Sequence, residues 1–360
     1  MTQTAAIFLS AYRELSARRL FWLALVINVL VVALFASLGI NEQGISFLGW
    51  TFDSPFYNST TTSPETFYKS LFVALGVDWW LGLIATLLAL VTTCGIIPDL
   101  VAPGSIDLLL AKPIGRARLF LTKYATGLLF AALQVTVFSL ASFAAIGLRG
   151  NVWEWGLFLA VPIVTFFYSL LYCICALVGM LTKSSVASLI LTLLAWTVIF
   201  SVNLSESIVV AGRIANSLET VAIEKELTAG VTEDGSEPLE ESDLETLRSD
   251  LQRAKDNRVD WDRAYFWFHG IKSFVPKTGD TLELLDRWLL ASASMPTRDP
   301  DSERGPQRAF GPRRVKRGEY ERALKEEERS RSIAWVLGTS AAFEAGILLL
   351  ATVVFVRRDY

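Results

Sequence analysis

The sequence predicts an all-α polytopic membrane protein. It would have a bundle of six transmembrane helices, a cytoplasmic elbow helix ahead of the first, and a large, mostly helical polar insert between spans five and six. Three observations carry this. The 360-residue chain is 52% hydrophobic with a mean hydropathy of +0.42 and 11 Trp, too apolar for a soluble protein of this length. Six stretches reach the ~20 apolar residues that a helix needs to cross a bilayer: Leu20–Gly39, Trp79–Ile97, Leu119–Leu148, Trp153–Leu181, Val186–Leu204 and Ile333–Val356. Charge is also segregated. Of 33 Lys and Arg, 21 lie within 205–332 together with 26 of the 36 Asp and Glu, so the few basic residues elsewhere mark topology. The expected organisation is residues 1–204 with the elbow and five spans, a hydrophilic insert at 205–332, and span six with the C-terminus at 333–360.

Residues 4–18 repeat Phe8, Ala11, Tyr12 and Leu15 at the spacing of one helix face, with Arg13, Glu14 and Arg18 off that stripe. Such a helix lies along a membrane interface. The first span is too long for the apolar core of a signal peptide, and no small-x-small cleavage site stands out before Asn41. Residues 41–78 follow as a segment rich in Thr and Ser. Arg13, Arg18 and Arg19 precede span one, the Lys112–Lys123 cluster joins spans two and three, Lys183 joins four and five, and Arg357–Arg358 close the chain. All fall on one side if both termini are cytoplasmic, the expected orientation in a cell membrane. Lys69 and Arg149 are the exceptions. Pro162 is expected to kink span four, and small residues such as Gly95, Ser139, Ser142 and Gly179 to allow close helix contact in lipid.

An even number of spans places the insert at 205–332 outside the cytoplasm, although Arg313, Arg314, Lys316 and Arg317 lie shortly before span six. Ser242-Asp-Leu-Glu245 reads as a capping box opening a helix with Leu244, Leu247 and Leu251 on one face. An aromatic cluster follows (Trp261, Tyr265, Phe266, Trp267, Phe268), of the kind enriched at membrane interfaces. After a turn at Pro276–Asp280 a second amphipathic helix aligns Leu282, Leu285, Trp288 and Leu289. Residues 296–312 read as poorly structured, and 313–331 as a charged helix.

Several chemistries are absent. There is no GxxxxGK[ST] loop to cradle nucleotide phosphates, so no cofactor is expected and ATP would be bound by a partner subunit. His269 is the single histidine, and no HExxH, GxSxG or paired-Cys zinc spacing occurs. No metal site and no catalytic residue is expected. Cys94, Cys173 and Cys175 lie in spans as ordinary buried thiols. Glu344 is the one strongly ionisable residue in the middle of a span, where a carboxylate is costly unless protonated, paired or facing water. It either lines a translocation path or joins span six to a neighbour such as Gln134 or Asn28, themselves candidate helix-to-helix hydrogen-bonders.

Between spans two and three the chain reads Pro-Gly-Ser-Ile-Asp-Leu-Leu-Leu-Ala-Lys-Pro-Ile-Gly-Arg-Ala-Arg-Leu-Phe-Leu-Thr-Lys-Tyr, residues 103–124. Basic and amphipathic, with three consecutive leucines at a membrane surface, it suits docking against another protein. The segment resembles the cytoplasmic loop between the second and third helices of ABC-2-type ABC transporter permeases. It matches at Gly104, Ser105, Ile106, Asp107, Leu108, Leu109, Leu110, Lys112, Pro113, Arg116 and Lys123. The layout is similar to that of NosY-like and gliding-permease-like transmembrane subunits, although the charged insert is longer than the family's usual outer segment. The resemblance implies a permease subunit, by family habit an exporter, partnered by a cytoplasmic ABC ATPase, a second permease copy or paralogue, and membrane lipid, with no nucleic acid. It also implies an ATPase-coupling loop at Asp107, Leu109, Leu110, Lys112, Pro113 and Arg116, in which Lys112 and Arg116 contact the ATPase or lipid phosphates while Asp107 and Pro113 shape the turn. The alternative is a membrane-anchored envelope-assembly or force-transmitting scaffold acting through the 205–332 insert.

Overall fold

The computed structural model describes residues 19–47, 50–53, 63–102, 115–150, 153–230, 240–291 and 317–358, with Arg13, Ser16, Ser59 and Val315. The expected elbow helix, apart from Arg13 and Ser16, lies outside the described residues, as do residues 103–114 of the inter-span segment. Among the described residues, six helices are long and apolar enough to cross a membrane: Arg19–Ala36, Thr66–Leu100, Arg116–Arg149, Trp155–Thr182, Ser185–Ala229 and Ile333–Arg357. The chain is a helical, multi-pass membrane protein with two compact units. One comprises Met1–Val198, Pro276–Pro296 and Leu337–Tyr360, the other Ile199–Val275 and Thr297–Val336.

In the first unit, α1 (Arg19–Ala36) buries Phe21, Ala24, Asn28 and Val32. These are three or four residues apart and so form one stripe of the helix. Leu23, Val26, Leu30 and Leu34 on the other side are exposed, an apolar outer face that suits lipid. A three-stranded antiparallel meander follows: β1 (Leu38–Asn41), β2 (Gly44–Phe47) and β3 (Trp50–Asp53). Asn41 pairs with Gly44 across a two-residue turn. Gly44 has φ 151°, a conformation that a Cβ strains. The sequence reading had only a Thr/Ser-rich segment here.

Span two is longer than its apolar core. It begins as α2 (Pro64–Leu71), capped by Ser63, whose hydroxyl accepts from the Thr66 N–H. It continues through a π-helical stretch (Phe72–Ala85) into α3 (Thr86–Thr93) and α4 (Ile96–Leu100). In the widened π geometry a residue reaches five positions back. The Thr86 hydroxyl does so here, donating to the Leu81 carbonyl at 2.7 Å. The remaining spans of this unit are α5 (Arg116–Gly150), α6 (Ala160–Thr182), which a short 3-10 turn at Trp155–Leu159 leads into, and α11 (Ile333–Arg357). They close a core in which Leu90, Phe120, Phe130, Phe167, Leu171 and Phe355 are buried.

A further helix, α9 (Thr278–Ala291), also packs in this first unit. The sequence reading assigned it to the polar insert. Its fully buried residues are Leu284, Leu285 and Leu289, with Lys277 and Thr281 completely enclosed. Of the expected set, Leu285 and Leu289 lie on the buried face, Leu282 is half-buried and Trp288 is 46% exposed, while Leu284 joins the buried side. The approach to the π-helical stretch is close: a Cβ on Gly82 would lie 2.9 Å from the Leu282 side chain.

In the second unit, α7 (Ser185–Ala229) runs unbroken out of span five. There α8 (Glu241–Phe274) lies antiparallel to it. Lys272 meets Glu206, Asp262 meets Arg213 and Lys255 meets Glu224, while Asn216 donates to the Ala254 carbonyl at 2.9 Å. Gly212 makes room for Trp261, whose ring atoms would sit 2.5 Å from an added Cβ. The third helix is α10 (Arg317–Ser330), whose Tyr320 hydroxyl reaches the Ala211 carbonyl of α7. The expected capping box is not formed. The α8 helix starts two residues earlier than a Ser242 cap would place it, after Glu240, which makes no side-chain cap. Ser242 is thereby already inside the first turn, where Glu241 and Asp243 face the positive end of the helix dipole.

Candidate functional site

The inter-span segment enters span three at Arg116, the one member of the expected coupling set among the described residues. Its Nη1 donates to the carbonyls of Val356 and Arg358, both at 3.2 Å. Arg358 in turn donates through Nη1 to the Met180 carbonyl at 3.1 Å. The last carbonyls of a helix have no intrahelical donor and carry the negative end of its dipole. Two guanidinium groups therefore tie together the ends of spans three, four and six. Arg116 is thus held within the chain through its Nη1. Asp107, Leu109, Leu110, Lys112 and Pro113 lie outside the described residues.

Glu344, in the middle of span six, sits against spans three and four. The Tyr124 hydroxyl is 2.9 Å from its Oε1 and the Ser169 hydroxyl donates to its Oε2 at 2.8 Å. The same hydroxyls also approach backbone carbonyls, Tyr124 that of Ser169 at 3.2 Å and Ser169 that of Phe166 at 2.8 Å. Tyr172 stacks on Tyr124 and on Tyr168, with ring centroids 5.1 and 5.4 Å apart, and the Tyr168 hydroxyl meets that of Thr93 at 2.6 Å. A hydroxyl-rich aromatic ladder thus runs from Glu344 through the bundle interior to span two. A polar residue in hydrocarbon needs internal partners, and this ladder supplies them.

Glu344 is therefore joined to Tyr124 and Ser169 and not to Gln134 or Asn28. Asn28 bridges spans one and two. Its Nδ2 donates to the Ala24 carbonyl at 3.0 Å, and its Oδ1 accepts from Trp80 Nε1 at 2.6 Å. Gln134 of span three donates to the Ala85 carbonyl at 3.4 Å, at the end of the π-helical stretch. Each thus makes a hydrogen bond to span two from a neighbouring helix.

Three charged features escaped sequence reading because each depends on a partner distant in the chain. Lys69 lies 2.6 Å from Glu154 with its side chain 2% exposed. The positive charge that read as a topology exception is thus neutralised within the fold. Lys277 at the start of α9 donates through Nζ to Thr339 Oγ1 at 2.6 Å, and its backbone N–H donates to Ser340 Oγ at 3.1 Å. In the second unit the carboxylate of Glu206 is completely buried. It accepts from Lys272 Nζ at 3.0 Å and from Arg331 Nη2 at 2.8 and 2.9 Å, with His269 Nδ1 at 3.6 Å. His269 is itself stacked between Tyr265 and Trp335.

The hydrogen bond from Lys69, helped by that from the Gly156 N–H, holds the Glu154 carboxyl below its ordinary range against the opposing effect of burial. A carboxylate favoured in this way stabilises the folded chain most fully above the unfolded value, and that contribution disappears as pH falls through the depressed folded value. Glu154→Gln is accordingly expected to lower the thermal midpoint at about pH 7, with the gap from wild type narrowing as the pH is brought below about 4.3. Thermal scans at a series of pH values read this directly. A gap that stays constant into acid would show that the pair contributes nothing through its charge.

Comparison with known proteins finds no matching family model, no similar curated protein and no similar solved structure.

Proposed function

We propose that this chain is the transmembrane permease subunit of an ABC-2-type transporter, an exporter driven by a separate cytoplasmic ATPase. The observation that carries the reading is the 104–123 segment, where a Leu-Leu-Leu-Ala-Lys-Pro run and a basic cluster stand between two spans. What supports it further is the bond set at the end of that segment. Arg116 reaches span six and Arg358 reaches span four, so a displacement of the segment is passed to three spans at once. Asp107, Leu109, Leu110, Lys112 and Pro113 form the docking face in this reading. Arg116 acts as the lever that anchors it, and the Glu344 ladder holds spans three, four and six together as they move. Because the chain has no nucleotide-binding loop of its own, hydrolysis belongs to the partner. A second copy or a paralogue completes the transporter.

The test is affinity co-purification in mild detergent from native membranes, comparing wild type with Asp107→Lys/Lys112→Glu. Both positions avoid the Arg116 clamp, so the fold should survive. An ATPase bearing a GxxxxGK[ST] loop is expected with wild type, and at least tenfold less of it with the variant, about 1.4 kcal/mol or more of binding energy. Well-folded wild type that brings down no ATPase overturns the reading in favour of a scaffold acting through the second unit.

A further inference from the structure

We infer that the second unit carries a phospholipid-binding groove, with the Arg213–Asp262 pair at its polar end and the C-terminal turns of α8 as its apolar wall. Polarity changes at the same height on both antiparallel helices. From Ser185 to Gly212 the only ionisable side chain of α7 is Glu206, and it is completely buried against Lys272 and Arg331. At 1.5 Å per residue that run spans about 42 Å, close to the ~40–45 Å of a bilayer with its headgroups. The first exposed charge beyond it is Arg213.

On α8 the order is reversed. Charged residues crowd the surface up to Arg263, and from Ala264 to Phe274 the only formal charge is Lys272, enclosed against Glu206. In its place stand Phe266, Trp267, Ile271 and Phe274, exposed to 74, 64, 48 and 83%. Four large apolar side chains on one short face exceed the scattered exposure of an ordinary surface. The pairing of Lys272 and Arg331 with the buried Glu206 keeps these formal charges off this face.

Along α8, with Arg213 of α7 at its polar end, lies a groove of about 620 Å³ that these four apolar residues line together with Asp262, Tyr265 and His269, within the size range of small-ligand sites. The occupant follows from the chemistry of α7: it carries no exposed charge from Ser185 to Gly212, and that apolar run ends at Arg213, which lines the groove. An acyl chain lies along Phe266, Gly270 and Phe274, where the missing side chain of Gly270 opens the face. The phosphate ester meets Arg213. The Arg213 Nε is held by Asp262 Oδ1 at 2.8 Å, and its guanidinium carbon lies 4.8 Å from the centre of the Tyr265 ring, which leaves the outer Nη edge for a phosphate.

The full chain in nanodiscs of phosphatidylethanolamine and phosphatidylglycerol tests this in two ways. Nitroxide labels on Ile271→Cys and Phe274→Cys are expected to collide more with oxygen than with a water-soluble nickel chelate, and a label on Arg253→Cys the reverse. Nickel access at 271 and 274 equal to that at 253 overturns the proposal in favour of an aqueous face. Low access to both reagents overturns it in favour of a second protein surface. In native mass spectrometry, Arg213→Gln and Phe266→Ser/Phe274→Ser are each expected to lose a phospholipid that wild type retains. An unchanged lipid count in folded variants shows general bilayer contact without a site, and overturns it too. None of these results depends on whether an ATPase binds the first unit.

Discussion

Glu206→Ala should destabilise the second unit by about 3–5 kcal/mol, the cost of removing one partner from a buried charge cluster. Glu206 is completely buried, Lys272 likewise, and the Arg331 side chain is 13% exposed. Both cations share the one carboxylate, and its loss removes their common counter-charge in a largely buried setting. The combined substitution Glu206→Leu/Lys272→Met/Arg331→Met should recover most of the loss, because replacing a whole buried ionic cluster with apolar groups of similar volume is often neutral or stabilising. Thermal unfolding followed by tryptophan fluorescence separates the cases, since Trp261, Trp267 and Trp335 all lie in this unit. A single variant as stable as wild type would show that water already reaches the cluster.

Gly127→Ala should cost about 1–3 kcal/mol, the usual penalty of overpacking a filled core. An added Cβ would lie 2.5 Å from two ring carbons and the hydroxyl oxygen of Tyr172, too close for any real contact. A flexible side chain would swing aside at little cost. Tyr172 cannot, because it is 1% exposed and stacked between Tyr124 and Tyr168. Any retreat disturbs Tyr124 and with it a hydroxyl partner of Glu344. Gly338→Ala in span six is the comparison, since nothing lies within 4 Å of its added Cβ, and it should shift the midpoint little. Equal effects at the two positions would mean that the tyrosine ladder is looser than its geometry implies. If the proposed transport function holds, the same variant should slow export more than its stability loss explains, because the ladder links span six to spans two, three and four.

Much of this molecule is decided by local composition, and that part is legible from the chain alone. Six apolar runs of sufficient length must be helices in lipid, because only a helix satisfies its own backbone there. All six are present as membrane-length helices. What local composition does not decide is where a charge finds its partner. Lys69 meets Glu154 and Glu206 meets Arg331 across large sequence separations, so span two starts well before its apolar core and span five continues past its own.

The same holds for α9. Its leucines and its polar N-terminus look like those of any amphipathic surface helix, yet Leu284, Leu285 and Lys277 are enclosed. The π-helical stretch likewise depends on contacts from elsewhere, Gln134 reaching Ala85 and Leu282 packing on Gly82. The sequence by itself determined that the chain is helical with six apolar segments of membrane-crossing length, because hydrophobic length is a local quantity. Only the tertiary structure decided which polar groups meet inside it, because burying a charge in low dielectric is tolerable only beside a partner that the fold alone brings near.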